Sequence, residues 1–339
     1  MAIFEAAALW GGSHFAHGGV IGRLFGIAKP RSFFLALHKM ALRRRRETHI
    51  NRPRMDALTD FLFPDLGVRG ALVEINSDIE KLLGSRPYSA DVRKLLGQTI
   101  AAMPLLASHS KFEGRINLQF QGKGDLKLLV AQVDRSLTVR GMAKAAPDVA
   151  GDFQTLMHGG LLAMMLEPDR GSEHYHALVD VEGQTLAAAL ENYFRQSEQL
   201  PTLLRLAASK DRLAGILLQR LPEEVVDEQG WEHLSHLFAT LGEEELASTD
   251  TTTLMRRLFH AENLRLFEPS PVKLSCRCDR GSIATMLLGM GEEELMPVLK
   301  EQGKVEVTCE FCGSTYVFTP LEVGELFVAS VSEPASTKH

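Results

Sequence analysis

The segments "KLSCRCDRG" (Lys273–Gly281) and "VTCEFCGS" (Val307–Ser314) together hold all four cysteines of a 339-residue chain. Cys276 and Cys278 are one residue apart and Cys309 and Cys312 two apart, with thirty residues between the pairs. Four thiolates suit tetrahedral zinc, and each close pair supplies adjacent ligands. "CEFCG" has the form of a zinc knuckle, in which Gly313 permits a left-handed turn and "STYVF" completes a hairpin. Residues 271–325 are few enough that an apolar core alone is marginal. A structural zinc adds on the order of 10–16 kcal/mol to such a module. The same thiols suit a redox switch. Cys309-x-x-Cys312 is a familiar redox spacing, and a Cys276–Cys278 bridge closes a small, strained and easily reduced ring. Four unmetallated structural cysteines are the alternative.

Outward from these pairs, the composition is that of a soluble globular chain, 45% hydrophobic and 24% charged. Four cysteines are too few for a disulfide-built secreted scaffold and fit a cytoplasmic metal or redox site. No apolar run reaches the roughly 18–20 residues that span a bilayer, so no membrane association is expected. The formal charge of −6 is uneven, with ten Lys or Arg against two Glu in residues 1–54. Those residues read as a basic N-terminal extension, either disordered or produced by an upstream translation start ahead of a functional Met55. The Arg43–Arg46 run reads as solvated charge. The acidic remainder argues against a nucleic-acid partner, which needs Lys and Arg at its surface.

Residues 55–222 predict a core domain. "MDALTDFLF" opens as a short apolar helix-like turn, and "VRGALVEI" alternates like a strand. Val92, Leu95, Leu96, Thr99, Ile100 and Met103 share one face of a helix. "GRINLQFQGKGDLKLLVAQVD" is a hairpin, with Ile116, Leu118 and Phe120 alternating on one arm and Leu126, Leu128 and Val130 on the other. "SLTVRGMAKA" and "YHALVDVEG" are further strands. "QTLAAALENYFRQSEQLPT" is a helix ended by Pro201, and "TLLRLAA" with "RLAGILLQRLP" is a last hairpin. Hairpin connections of this kind predict an α+β fold: an N-terminal mixed sheet-and-helix core domain, a helical connector and a small C-terminal zinc-binding domain. "QGKGDLK" lacks phosphate-loop spacing and is a turn. His174 and His176, two apart on a strand, are half a metal site at most. No catalytic constellation is recognisable from spacing, and no enzyme activity is expected.

Residues 223–270 form an acidic connector, with eleven acids against three bases over 223–268. Trp231, Leu234, Leu237, Phe238 and Leu241 follow helical spacing, and Leu254, Met255, Leu258 and Phe259 form a second stripe. Such short amphipathic helices do not persist alone in water. They either pack on the core as ordinary structure or form a metastable layer released by a switch. Residues 326–339 read as a disordered tail.

Cys-x-Cys, thirty residues, then Cys-x-x-Cys-Gly resembles the C-terminal domain of the redox-regulated 33-kDa heat-shock chaperone family. "VRGALV", "KFEGRINLQFQGKGDLKLLV", "EGQTLAAALENYFRQSEQLPT", "GILLQRLP", "WEHL", "RLFHAE", "CRC" and "CEFCGSTYVF" extend the resemblance over roughly Met55 to Phe327. Residues 1–54 have no counterpart, and Pro297 interrupts a helix pattern.

The resemblance implies an ATP-independent holdase, inactive while one Zn2+ sits on Cys276, Cys278, Cys309 and Cys312. Oxidation under stress would form Cys276–Cys278 and Cys309–Cys312 disulfides, release the metal and loosen the connector. The bared stripes, Trp231, Leu234, Leu237, Phe238, Leu241, Leu254, Leu258 and Phe259, would then bind unfolded clients. Clients would pass to ATP-dependent chaperones, and the reduced monomer would become an oxidised homodimer. The rivals are a zinc-ribbon nucleic-acid-binding protein, which wants basic flanks where this chain has "GEEELM", and a thiol–disulfide oxidoreductase, which wants its cysteine pair at a helix N-terminus. Catalytic zinc needs an open coordination position that four thiolates do not leave.

Overall fold

A computed structural model describes residues 56–332 apart from 85, 110–113, 169–174, 182 and 222–227. Residues 1–54, Met55, His174 and the segment 333–339 therefore lie outside the described residues, as does the side chain of His176. Two compact units divide between Cys276 and Arg277.

The larger unit begins with a hairpin where a helix-like turn was expected. Strand β1 (Ala57–Phe63) pairs antiparallel with β2 (Val68–Ile75) along its whole length. The two-residue period prevails because Leu58 turns to one side of the sheet and Phe61 and Phe63 to the other. The reversal at Pro64–Gly67 uses Gly67 at φ 61°. Gly70 faces Phe61 across the ladder, and a methyl group there would lie 2.2 Å from the ring.

Helices α1 (Ile79–Leu83) and α2 (Ala90–His109) follow. All six residues expected on the α2 face are buried. Ala101, Ala102, Leu105 and Leu106 are buried as well, because α2 touches strands of both large sheets. Strands β3 (Gly114–Gln121) and β4 (Leu126–Asp134) form the expected hairpin, and β5 (Thr138–Ala145), the expected further strand, pairs with β4. A register shift between Leu126 and Leu128 changes the β4 alternation. Leu126, Leu129, Ala131 and Val133 enter the main core, and Leu128 is left half-buried. After the short helix α3 (Phe153–Leu156) come β6 (Leu161–Pro168) and β7 (Tyr175–Asp180). Thr185 caps helix α4 (Leu186–Tyr193), accepting from Ala188 N–H at 3.1 Å, and a π-helical turn (Phe194–Glu198) ends it before Pro201. Strands β8 (Thr202–Ala208) and β9 (Leu213–Arg220) are the expected hairpin.

The connector is three helices, α5 (Glu228–Ala239), α6 (Glu243–Ser248) and α7 (Thr251–Phe259). Three two-residue strands follow, β10 (Arg265–Leu266), β11 (Ser270–Pro271) and β12 (Lys273–Leu274). The first sheet runs β10-β1-β2-β9-β8, with β11 also on β1; the second runs β12-β5-β4-β3-β6-β7. Only β12 on β5 is parallel. The main core fills the space around α2, and a second core lies between the other face of the first sheet and α5–α7. Mixed sheets with antiparallel pairing make the fold α+β.

The connector is fastened to this sheet by more than apolar contact. Arg212 donates to Glu74 Oε1 at 2.6 Å and to the Thr249 carbonyl, and Thr251 N–H donates to Glu74 Oε2 at 3.1 Å. Arg212 is 7% exposed and Glu74 16%, so the pair is largely out of water. Asp250 then caps α7, accepting from Thr253 N–H at 3.0 Å, and that bond holds its carboxyl below the usual range. Phe63 packs edge-on to Phe259 with ring centres 5.1 Å apart.

The smaller unit comprises α8 (Arg280–Met290), α9 (Glu292–Gln302), the hairpin β13 (Val305–Thr308) and β14 (Thr315–Phe318), and α10 (Pro320–Ser332). Pro297 sits inside α9, which continues to Gln302. Helix α10 carries regular structure to Ser332, so the first part of the expected disordered tail is helix. A capping box explains its start: Thr319 N–H donates to Glu322 Oε2 at 2.8 Å, and Glu322 N–H donates back to Thr319 Oγ1 at 3.3 Å. No helix among the described residues is long and apolar enough to cross a membrane.

Removing one partner of the buried Glu74–Arg212 pair leaves the other charge unpaired. Arg212→Ala is expected to lower the unfolding free energy by about 3–5 kcal/mol, measured by urea denaturation of the reduced protein.

Candidate metal centre

The four cysteines are brought together by the hairpin and by the start of α8. Gly313, at φ 73°, donates its N–H to the Cys309 carbonyl at 2.8 Å, and Cys309 N–H donates to the Ser314 carbonyl at 2.8 Å. This is the expected strand–knuckle–strand turn, and it holds Cys309 and Cys312 on one side of the loop. On the other side, Asp279 caps α8 immediately after Cys278, accepting from Ser282 N–H at 2.8 Å and from Ser282 Oγ at 2.9 Å. Those bonds, the backbone one foremost, hold the Asp279 carboxyl below its ordinary range. The helix therefore starts at a fixed point two residues beyond a thiol.

One ligand atom from each of Cys276, Cys278, Cys309 and Cys312 lies within 4.8 Å of the others. Cys309 is buried and the other three are half-buried. The sulfurs of Cys278 and Cys312 are 3.2 Å apart. A disulfide would hold two sulfurs at about 2.05 Å. Sulfurs arranged tetrahedrally at about 2.3 Å from one ion lie about 3.8 Å from each other. The cluster therefore has the dimensions of a metal-binding tetrathiol, and four thiols match zinc. A site with four protein donors is closed, which suits a structural ion.

The spacing of the cysteines did not reveal the groups around them. Tyr316, on β14, places its hydroxyl 3.0 Å from the Cys278 carbonyl and 3.3 Å from Cys278 Sγ. The bond to Cys278, and then desolvation, push the phenol up. Cys312 Sγ contacts Ser314 Oγ at 3.2 Å. Arg280 pairs with Glu322 at 2.6 Å and lies 4.3 Å over the Phe318 ring, tying the start of α8 to the start of α10. The cap signal "DRGS" and the box "TPLE" were present in the sequence; the reach from Tyr316 back to Cys278 was not.

The surroundings are acidic. Residues 277–332 carry nine Asp or Glu against four Lys or Arg, the reverse of what a nucleic-acid-binding ribbon needs. The apolar core of this unit is small: Ile283, Leu287, Leu295, Val298, Val305, Phe318 and Val323 are its buried members. The residues proposed to meet clients lie elsewhere. Leu234, Phe238, Leu241, Leu254, Leu258 and Phe259 are buried against the first sheet, with Trp231 and Leu237 half-buried beside them. Leu246 and Met255 belong to the same layer.

Cys276→Ser is expected to lower zinc affinity at least about 100-fold by removing a ligand, and Tyr316→Phe about 10-fold by removing an outer hydrogen bond. Chelator competition on the reduced protein measures both, and wild-type retention in Cys276→Ser would refute the four-ligand assignment.

Comparison with known proteins bears on the same region. A family model described as Hsp33 protein matches residues 56–319. A 33 kDa chaperonin of Neisseria meningitidis serogroup A is 42% identical over 288 residues, covering 83% of this chain and 94% of that protein. A 33 kDa chaperonin of Nitrosococcus oceani is 40% identical over 286 residues, covering 84% and 99%. The crystal structure of a 33 kDa chaperonin from Thermotoga maritima superposes with a TM-score of 0.71 at 22% identity, covering 82% of this chain and all of that one, a likeness of fold. With the family match spanning residues 56–319 and relatives about 40% identical covering more than four fifths of the chain, the chain belongs to the Hsp33 family.

Proposed function

We propose that this chain is a redox-regulated, ATP-independent holdase that binds unfolding proteins in the cytoplasm under oxidative stress. The observation that carries the proposal is the second core: an apolar sheet face is covered by the three short helices of an acidic connector, in the same chain as a tetrathiol cluster. The family membership supports a chaperone, and holding rather than catalysis is its action.

When bound, Zn2+ would keep the four sulfurs as thiolates and tie the residues just before α8 to the β13–β14 turn. The chain's own part is the supply and withdrawal of those thiolates. Oxidation of Cys309 with Cys312, and of Cys276 with Cys278, forms one S–S bond per pair. Each pair gives up two electrons to one peroxide, which is reduced to two waters. Disulfide sulfurs are poor metal ligands, so the four oxidised cysteines would no longer hold an ion, and a unit with so small a core would unfold.

Helices α6 and α7 are shorter than the roughly 12–15 residues an isolated helix needs, so the connector depends on its seat on the sheet. Its release bares Phe61, Phe63, Leu72, Ile216 and Leu218 along with its own Leu234, Phe238 and Leu258. A contiguous apolar surface of this kind holds unfolded chains and self-associates. The oxidised protein is accordingly a homodimer and the reduced one a monomer. The connector's acids keep the opened form soluble, and clients pass to ATP-dependent chaperones once reduction restores the thiols.

The deciding experiment records zinc release and light scattering of a heat-unfolding client together as peroxide is added at raised temperature. About one zinc per chain should leave as scattering falls, and a thiol reductant with zinc should reverse both. Zinc loss without holding would leave the metal a structural staple. The packing makes a second demand. Leu234→Asp with Leu258→Asp places two charges in the buried layer, so this variant should expose its sheet, seen as dye binding, while still zinc-loaded. Unchanged dye binding would mean the connector is not what covers that face.

A further inference from the structure

Cys278 is held from two directions. Tyr316 stands on β14 opposite Val307, and its hydroxyl lies 3.0 Å from the Cys278 carbonyl and 3.3 Å from Cys278 Sγ. One phenol proton therefore serves two acceptors of a single residue, one on the main chain and one on the side chain. In the next position, Asp279 accepts from Ser282 N–H and Oγ and so starts α8. The Cys278 sulfur is thus placed relative to its own backbone, to the helix and to the hairpin that carries Cys309 and Cys312. Cys312 also has a hydroxyl neighbour, but Ser314 Oγ comes from two residues along the same turn. Tyr316 is thirty-eight positions from Cys278, so its contact joins the two cysteine segments.

We infer that Tyr316 is a positioning residue that restrains closure of the Cys276–Cys278 pair and so sets the oxidant level at which the switch operates. The inference deepens the proposed redox regulation and rests on it. The two sulfurs lie within 4.8 Å of each other, and a bridge needs about 2.05 Å. Closing that distance displaces the Cys278 sulfur from where the phenol holds it. In the reaction, one thiolate of the pair attacks a peroxide oxygen, the O–O bond breaks, hydroxide leaves and the sulfur becomes a sulfenic acid. The second thiolate attacks that sulfur, the S–S bond forms and a second hydroxide leaves. Whichever sulfur begins, Cys278 attacks either the peroxide or the oxidised Cys276. A hydrogen bond donated to its sulfur holds back the electron pair with which it attacks. A bond to an ionised sulfur is also charge-assisted, and a disulfide sulfur carries no such charge, so bridging forfeits it. Removing the hydroxyl speeds this pair in particular, because its hydrogen bonds go to Cys278.

The test compares the full, reduced chain with its Tyr316→Phe variant at one fixed peroxide concentration. Zinc is kept in excess so that both proteins start loaded. Samples are quenched with a thiol-alkylating agent, and mass spectrometry of the peptides gives the initial rate of each disulfide. The Cys276–Cys278 bridge should form about tenfold faster in the variant, the factor of one hydrogen bond to a charged group, while Cys309–Cys312 closes at the wild-type initial rate. Acceleration of both pairs by one factor would mean that the variant only loosens the unit, and overturns the inference. An unchanged Cys276–Cys278 rate overturns it as well. Ser314→Ala removes the hydroxyl beside Cys312 and should leave the Cys276–Cys278 rate as it is; a tenfold acceleration there counts equally against the role of Tyr316. A wild type that forms no Cys276–Cys278 bridge overturns the inference together with the redox switch it rests on, whereas the other adverse results leave that switch standing.

Discussion

The first sheet is apolar on both faces, and the rest of the larger unit is arranged around that fact. Every residue of β9 before Arg220 is buried, and six of the eight in β2 are. Antiparallel sheets commonly leave one face to water; this one cannot. One face is covered by α2 and, through it, the second sheet. The other is covered by α5–α7, none of which has a full apolar core of its own. The same patterning that makes the sheet stable also makes its second cover obligatory. A cover of short helices is the least persistent way to provide it.

Two kinds of stabilisation therefore coexist in the chain. Around α2, large apolar side chains are fully excluded from water, and each contributes about 1.5–3 kcal/mol. In the smaller unit, a seven-residue apolar cluster serves a region of more than fifty, and an ion on the four thiols would contribute more than any few of those residues. Loss of the ion and loss of a core residue are not comparable events. The connector lies between these extremes, held by apolar contact, by the Glu74–Arg212 pair and by the cap at Asp250.

Local chemistry was legible in the sequence; long-range chemistry was not. The α2 face, the β3–β4 and β8–β9 hairpins and the knuckle all follow from periodicity and turn residues within a few positions. The β1 strand was misjudged because seven residues of mixed apolar and polar character fit either period until the partner strand is known. Strand β6 went unmarked because "LLAMMLEP" is built from Leu, Ala and Met, which favour helix when nothing else decides. The bulge in β4 shifts an alternation that was otherwise correctly read. At the metal centre, spacing identified the four thiols, and only the folded chain showed Tyr316 beside Cys278, thirty-eight positions away. The pairing of Glu74 with Arg212 across the β2–β9 ladder is likewise invisible until the strands are registered.

The order of the elements has a consequence during synthesis. Strand β2 closes against β9, with Val68 opposite Arg220, so the four long strands of the first sheet can come together only when that late hairpin has emerged. The helices covering its second face end at Phe259, thirty-nine residues further on. At roughly 5–20 residues per second, a growing chain carries these four strands with one face uncovered for about 2–8 s. Each newly made molecule thus passes through a stage with an apolar face open to its neighbours. The protein is, for that interval, itself in need of the protection that its finished form is built to give.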